Sequence, residues 1–253
     1  MGEGRKCRQK FFPRPFKRGR GSRGRGFVWY IIRKIMFTGL IETQGALVSV
    51  EHGSGSRLLG IRPDMTVFPV AIGASVAVDG VCLTVESARG PILKCTAIKE
   101  TLDRTTLGSA TAGSRVNLER PLLANGRLDG HMVLGHVDGV GVIVRDIPEG
   151  AGMRRIIRVP ESCGRFMAEK GSVAIDGISL TIAGVDGLEI AVALIPATQT
   201  ATSMGRKRAG DRVNIECDVI ARYLDRLMHG ESRKAAAGKK GRTILEQMER
   251  SGF

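Results

Sequence analysis

Four small polar side chains stand at matched places in this chain. Cys82 and Thr84 alternate with apolar residues in Val81-Cys82-Leu83-Thr84-Val85, and Ser179 and Thr181 do the same 97 residues later in Ile178-Ser179-Leu180-Thr181-Ile182. Alternate side chains of an extended segment face opposite ways, so each polar pair shares one face and the apolar residues share the other. A pair of hydroxyl or thiol groups at that spacing can hydrogen-bond the edge of a flat heterocycle. The same residue types also suit an exposed strand surface that binds nothing, and only their recurrence argues for two related pockets. Cys82 could act as a nucleophile, but no neighbouring residue in the sequence is placed to lower its pKa, and small buried cysteines are usually inert. His131 and His136 stand five apart. On a strand they would face opposite ways, which argues against a shared metal. An acid-base or hydrogen-bonding role for one of them and a structural role remain equal readings.

The elements that must position these groups are duplicated. Ala74 to Val85 aligns without gaps to Gly171 to Ile182, with seven of twelve residues identical. At the same offset Gly113-Ser114-Arg115-Val116-Asn117-Leu118-Glu119 matches Gly210-Asp211-Arg212-Val213-Asn214-Ile215-Glu216, and Thr101, Thr105 and Gly108 fall on Thr198, Thr202 and Gly205. Gly39-Leu40-Ile41-Glu42 falls on Gly135-His136-Val137-Asp138, one residue out of phase. Three blocks in one order indicate a duplicated domain, with a period far longer than the roughly 20–50 residues of solenoid units. Within each repeat the pattern has period two. Strands Ser75–Val78 and Val81–Glu86 flank Asp79-Gly80, a pair that favours a type I′ turn, and Ile92–Ile98 follows a turn at Arg89-Gly90. The second repeat reads as Ser172–Ile175, Ile178–Ala183, a turn at 184–187 and Leu188–Ile195. Short strands with Gly-rich turns predict a small antiparallel barrel in each half, with one or two helical turns at Thr101–Leu107.

After the second repeat, Asp218 can cap a helix that carries Ile220, Tyr223, Leu224, Leu227 and Met228 on one stripe and ends at Gly230. It has no counterpart in the first repeat. Such a helix either joins subunits or packs on its own barrel.

The chain has 253 residues, 42% of them hydrophobic, and no apolar run near the roughly 18–20 residues that span a bilayer. Five scattered cysteines without a CxxC pair make a disulfide framework or a zinc site a poor expectation and favour a reducing compartment. The formal net charge is +14, but twelve Lys and Arg against Glu3 put +11 of it in residues 1–35. That Arg/Gly/Pro-rich segment cannot bury enough surface to fold alone. It reads as a disordered appendage or as sequence upstream of a start at Met36, and an RNA-gripping arm with interleaved aromatics is the less favoured reading. Residues 231–253 are polar and basic and are expected to be disordered.

Taken together, Met36-Phe37-Thr38-Gly39-Leu40-Ile41-Glu42, Gly80-Val81-Cys82-Leu83-Thr84-Val85, Lys99-Glu100-Thr101-Leu102, Gly130-His131-Met132-Val133-Leu134-Gly135-His136-Val137 and Asp176-Gly177-Ile178-Ser179-Leu180-Thr181 resemble the riboflavin synthase family, alpha-chain type. The resemblance spans about Met36 to Met228. It implies an all-β fold of two tandem homologous six-stranded Greek-key antiparallel barrels plus a C-terminal α-helix. The divisions are a basic extension at 1–35, an N-terminal lumazine-binding barrel at 36–131, a C-terminal one at 132–217, a trimerisation helix at 218–230 and a basic tail at 231–253.

It further implies a cytoplasmic homotrimeric transferase that uses no cofactor and no metal, with no membrane and no nucleic-acid partner. The reaction would convert two molecules of 6,7-dimethyl-8-ribityllumazine per site into riboflavin and 5-amino-6-(D-ribitylamino)uracil, at sites joining one chain's N-terminal barrel to a neighbour's C-terminal barrel. Matched to the family, the first pocket would use Gly39, Leu40, Ile41, Cys82, Leu83, Thr84, Thr96, Ala97, Ile98, Lys99, Glu100 and Thr101. The second would use Gly135, His136, Val137, Lys170, Ser179, Leu180, Thr181, Ile195, Pro196, Ala197, Thr198, Gln199 and Thr200. Phe37, Ser75, Cys82 and His136 would lie closest to the chemistry. One departure stands out: the family's Pro-Glu-Thr in the second barrel is Pro196-Ala197-Thr198 here. That change keeps open an alternative, a non-catalytic lumazine- or flavin-binding protein of the antenna type.

Overall fold

Positive φ at both central residues is what a type I′ turn requires, and both Asp-Gly turns meet it: Asp79 and Gly80 at 47° and 76°, Asp176 and Gly177 at 48° and 78°. The computed structural model describes residues 36–237, so the expectations for 1–35 and for the end of the tail lie outside the described residues. Strands β1 (Thr43–Gly53), β2 (Ser56–Pro63), β3 (Ser75–Val78), β4 (Val81–Arg89), β5 (Ile92–Ile98) and β6 (Arg115–Glu119) form the first barrel, with the short helix α1 (Lys99–Arg104) between β5 and β6. Strands β7 (Gly139–Glu149), β8 (Gly152–Arg158), β9 (Ser172–Ile175), β10 (Ile178–Asp186), β11 (Glu189–Leu194) and β12 (Arg212–Cys217) form the second, with α2 (Glu161–Gly164) before β9 and α3 (Pro196–Ala201) before β12. Both are closed, with neighbour orders β1-β2-β5-β4-β3-β6 and β7-β8-β11-β10-β9-β12, and every pairing is antiparallel. The non-sequential neighbours make each barrel a Greek key.

Closure needs bent strands, and β-bulges supply local bends. The register shifts fall at Leu47/Ser49 and Val85/Ser87 in the first barrel and at Ile143/Arg145 and Ile182/Gly184 in the second, so the bulges are duplicated with the sequence. They account for one revision. Gly184 does not begin a turn; the bulge absorbs it and β10 continues to Asp186. The predicted helical turns likewise begin earlier, at Lys99, and a separate 3₁₀ turn over Thr106–Gly108 follows α1. Val81, Leu83 and Val85 face the first core, and Ile178, Leu180 and Ile182 the second, as their alternation requires.

Two arginines missed by pattern reading brace these cores. Arg57 donates to the carbonyls of Leu107 and Ala110, both at 3.2 Å. Arg155, fully buried, donates to those of Met204 and Lys207 at 2.8 and 2.9 Å and pairs with Asp146.

The barrels meet across a pseudo-two-fold contact. Gly80 and Gly177 pack so closely that a Cβ on either would fall 2.6–2.7 Å from the other's backbone nitrogen. Buried Asn117 donates to the Asp176 carbonyl at 3.0 Å and Asn214 to that of Asp79 at 2.8 Å. Phe37, wholly buried, pairs through its backbone with Val133 and packs with Ala77 and Ala174 between the barrels.

Asp218 caps α4 (Val219–Ala237) by accepting from the Ile220 amide at 2.9 Å. The helix does not stop at Gly230. One glycine costs about 1 kcal/mol in a helix, and the residues that follow it, including Ala235, Ala236 and Ala237, are mostly good helix formers, so it runs on to Ala237. Its inner side is polar: Arg222 pairs with Asp138 and Asp225 with Arg165, and both arginines lie over the Phe166 ring. Ile220, Tyr223, Leu224, Leu227 and Met228 stay 51–78% exposed. The stripe therefore does not pack on its own barrel. No described helix is long and apolar enough to cross a membrane.

Candidate functional site

Each polar pair has its expected place: Cys82 and Ser179 half-buried, Thr84 and Thr181 exposed, beside buried Leu83 and Leu180. Ser75 stands on β3 next to Cys82, Ala77 being the residue directly paired with that cysteine. What covers these edges differs from the grouping expected in the sequence. The Cys82 amide donates to the Gly135 carbonyl at 2.9 Å, and the Ser179 amide to the Gly39 carbonyl at 2.8 Å. Ile41 packs on the second barrel's core and Val137 on the first's. The segment leading into each barrel thus crosses the other barrel's edge. Gly135-His136-Val137 belongs with Cys82-Leu83-Thr84, and Gly39-Leu40-Ile41 with Ser179-Leu180-Thr181. The crossing requires glycine: both have positive φ, and a Cβ would lie 2.4 Å from the Cys82 Cβ or 2.6 Å from the Ser179 Cβ.

Two buried carboxylates hold the crossings in place. Glu119 accepts from the Thr38 amide, the Thr38 hydroxyl and the Gly39 amide at 2.6, 2.7 and 3.0 Å. Glu216 accepts from the Leu134 and Gly135 amides at 2.7 and 3.0 Å. Burial pushes Glu216 up to about 7 and raises Glu119 from its ordinary value, against the lowering effect of those donors. Both sit in the matched blocks, and the recurrence of the carboxylate at one offset was the signal available in the sequence.

The remaining residues frame these edges. Thr96, Ala97 and Ile98 end β5, and Lys99, Glu100 and Thr101 begin α1; Ile98 is 60% exposed. Ile195, 60% exposed, precedes Pro196, Ala197, Thr198, Gln199 and Thr200 of α3, and Gln44 donates to the Thr200 carbonyl at 3.4 Å. On α1 Glu100 pairs with Arg104; the matching residues of α3 are Ala197 and Ala201. Lys170 lies beside Thr181, its amide donating to the Ile182 carbonyl at 2.8 Å, and has φ 66°, where the first barrel uses Gly73. Leu40 is 46% exposed.

The stretch from His131 to His136 is no strand, apart from the bridge at Val133. His131 is held at 2.7 Å from the Ser179 hydroxyl, and burial lowers its pKa, which keeps it neutral near pH 7. His136 is exposed and lines an open cavity of about 340 Å³ with Arg104, Glu216, Cys217 and Arg222. A second cavity of about 240 Å³ lies against Met153, Leu194, Ile195 and Pro196. Burial pushes the Cys82 thiol up, which the Ser75 hydrogen bond opposes and the Glu216 charge reinforces, so it is no thiolate at neutral pH.

The lumazine binding domain family matches residues 38–121 and again 134–218, one copy per barrel. Riboflavin synthase of Mycobacterium bovis is 43% identical over 198 residues, covering 76% of this chain and 98% of its own. That of Bacillus subtilis is 37% identical over 219 residues, covering 86% and 100%. That of Actinobacillus pleuropneumoniae is 36% identical over 218, also covering 86% and 100%. The crystal structure of LumP complexed with riboflavin superposes with a TM-score of 0.65 at 23% identity, over 72% of this chain and 99% of that one, a likeness of fold. With both barrels matched and synthases aligned nearly end to end, the chain belongs to the riboflavin synthase family of lumazine-binding proteins.

Proposed function

We propose that this chain is a riboflavin synthase, transferring a four-carbon unit between two 6,7-dimethyl-8-ribityllumazine molecules to give riboflavin and 5-amino-6-(D-ribitylamino)uracil. The observation that carries the reading is the duplicated edge, Cys82–Thr84 under Gly135–Val137 and Ser179–Thr181 under Gly39–Ile41, each fixed by one backbone hydrogen bond. A reaction that consumes two copies of one substrate calls for two related pockets, and orienting both reactants can supply several kcal/mol of the barrier.

In this reading Cys82, Thr84, Ser179 and Thr181 meet the heterocycle edges, while exposed Leu40, Ile98 and Ile195 offer apolar faces for the rings. Thr96–Thr101 and Ile195–Thr200 close the sides. Lys170 and His136 contribute from exposed positions. Ser75 tunes Cys82, and buried Phe37 positions the Thr38-Gly39 crossing rather than touching substrate. Neutral His131, bonded to Ser179, orients that hydroxyl. The two facing pockets come from different subunits of a cytoplasmic homotrimer, which the outward apolar stripe of α4 supports. Residues 36–131 and 132–217 are the two lumazine-binding units.

The test is to mix the protein with 6,7-dimethyl-8-ribityllumazine and follow riboflavin absorbance. Two lumazines should disappear for each riboflavin formed. The neutral α3, without the Glu100–Arg104 pair of α1, favours one competitor, a binding protein without turnover. A stably bound chromophore and no riboflavin would select it.

A further inference from the structure

Cys163 and Cys217, 54 residues apart in the chain, meet where α2 packs against the end of β12. Their sulfurs and the Asp138 carboxylate lie within 4.8 Å of one another. The carboxylate is already committed: one oxygen accepts from the Cys217 amide at 2.8 Å, and the other pairs with Arg222. It is not free to complete a cation site, and what remains is a dithiol. Both side chains are at most 2% exposed; Cys217 lines the open cavity of about 340 Å³ with His136 and Glu216, and the Cys163 sulfur lies behind it, within 4.8 Å of the Cys217 sulfur. That cavity can hold a molecule the size of water or hydrogen peroxide.

We propose that Cys163 and Cys217 are a redox modification site, a dithiol that closes to a disulfide when the protein meets a hydroperoxide. The two sulfurs are unequal partners. The hydrogen bond from Cys217 lowers the Cys163 pKa against the opposing effect of burial, and the Ser162 hydroxyl, 3.9 Å away, adds to the lowering. The same bond and burial raise that of Cys217, which keeps its proton. Cys163 therefore ionises more readily than Cys217 and is the sulfur assigned the attack. Its sulfur takes one oxygen of the peroxide as the O–O bond breaks, giving a sulfenic acid, and the hydroxide released takes up the proton lost from Cys163 to form water. Cys217 then attacks the Cys163 sulfur; the S–S bond forms, the S–O bond breaks, and a second water leaves with the Cys217 proton. Sulfur is oxidised and peroxide reduced, and two thiols are consumed per peroxide. The bond ties α2 to the strand end that carries Glu216, the residue that holds the Gly135 crossing.

The full chain is treated with hydrogen peroxide, its remaining thiols are alkylated in denaturant, and it is digested without reduction. The expected result is a linked pair of peptides containing Cys163 and Cys217, the loss of two of the five thiols, and reversal by dithiothreitol. In Cys217→Ser, a dimedone adduct should accumulate on Cys163, because the resolving thiol is gone. Five intact thiols, or oxidation confined to Cys82 or Cys95 while this pair stays alkylatable, would overturn the proposal. The peptide map of the parent protein needs no variant to fold, and no readout depends on riboflavin formation.

Discussion

In the proposed site the Cys82 thiol hydrogen-bonds a ring edge, and burial disfavours its thiolate. Ser179 already fills the matching place with a hydroxyl. Exchanging one hydrogen-bonding group for another is worth about 1 kcal/mol, so Cys82→Ser should lower riboflavin turnover about fivefold and leave lumazine binding measurable. Steady-state kinetics with a fluorescence titration checks this; complete loss of turnover with intact binding would instead point to covalent chemistry at Cys82. Gly135 allows no such exchange. Its φ of 77° and a Cβ position 2.4 Å from the Cys82 Cβ leave no room for a side chain. Gly135→Ala should destabilise the fold by about 2 kcal/mol or more and abolish lumazine binding at the first edge before the second. Urea unfolding and the stoichiometry of bound lumazine read the two effects separately, and a fully stable variant that binds at both edges would contradict the crossing.

At the scale of elements, the two Asp-Gly turns bring carboxylates together on the pseudo-two-fold with one cation between them. Lys207 reaches Asp176 at 2.6 Å, and its counterpart in the first repeat is Ala110. Burial pushes Asp79 up to about 8; the Asp176 charge adds to this, while Lys207 and the Asn117 amide oppose it. The folded protein thus keeps a proton that the unfolded chain releases near 3.8. Stability from this group is complete below 3.8 and falls as pH rises through the window to about 8, above which both states are ionised. Glu216, raised to about 7, acts in the same direction. Asp79→Asn should remove part of that slope and make the protein more stable than its parent by at least about 1 kcal/mol near pH 9. Urea unfolding on either side of the window is the measurement; a parent that gains stability toward alkaline pH would mean Asp79 is ionised and paired.

For the whole molecule the decisive feature is a helix that turns its polar side to its own barrel and its apolar stripe outward. Burying Ile220, Tyr223, Leu224, Leu227 and Met228 against other copies would stabilise the proposed trimer by several kcal/mol at ~25 cal/mol per Å². If α4 forms the seam of the proposed trimer, Leu224→Asp with Leu227→Asp places charge in it. The variant should sediment as a folded monomer that binds lumazine and makes almost no riboflavin. A monomer with full activity would show that both pockets meet within one chain.

What could be read from the chain alone follows from local physics. Period-two alternation, Asp-Gly turns and a repeat at a fixed offset are properties of neighbouring residues, and they sufficed for two barrels, their hairpins and the polar pairs at Cys82 and Ser179. Repetition even carried Asn117 and Glu119 into register with Asn214 and Glu216, without revealing what those buried groups hold. The tertiary structure decided the rest, because the contacts concerned join residues far apart in the chain, 54 positions or more. Glu119 clamps Thr38 across 81 positions, Gly39 covers Ser179 rather than Cys82, and Cys163 finds Cys217. Periodicity tells which face a side chain takes, but only packing one barrel against the other decides which segment crosses which edge.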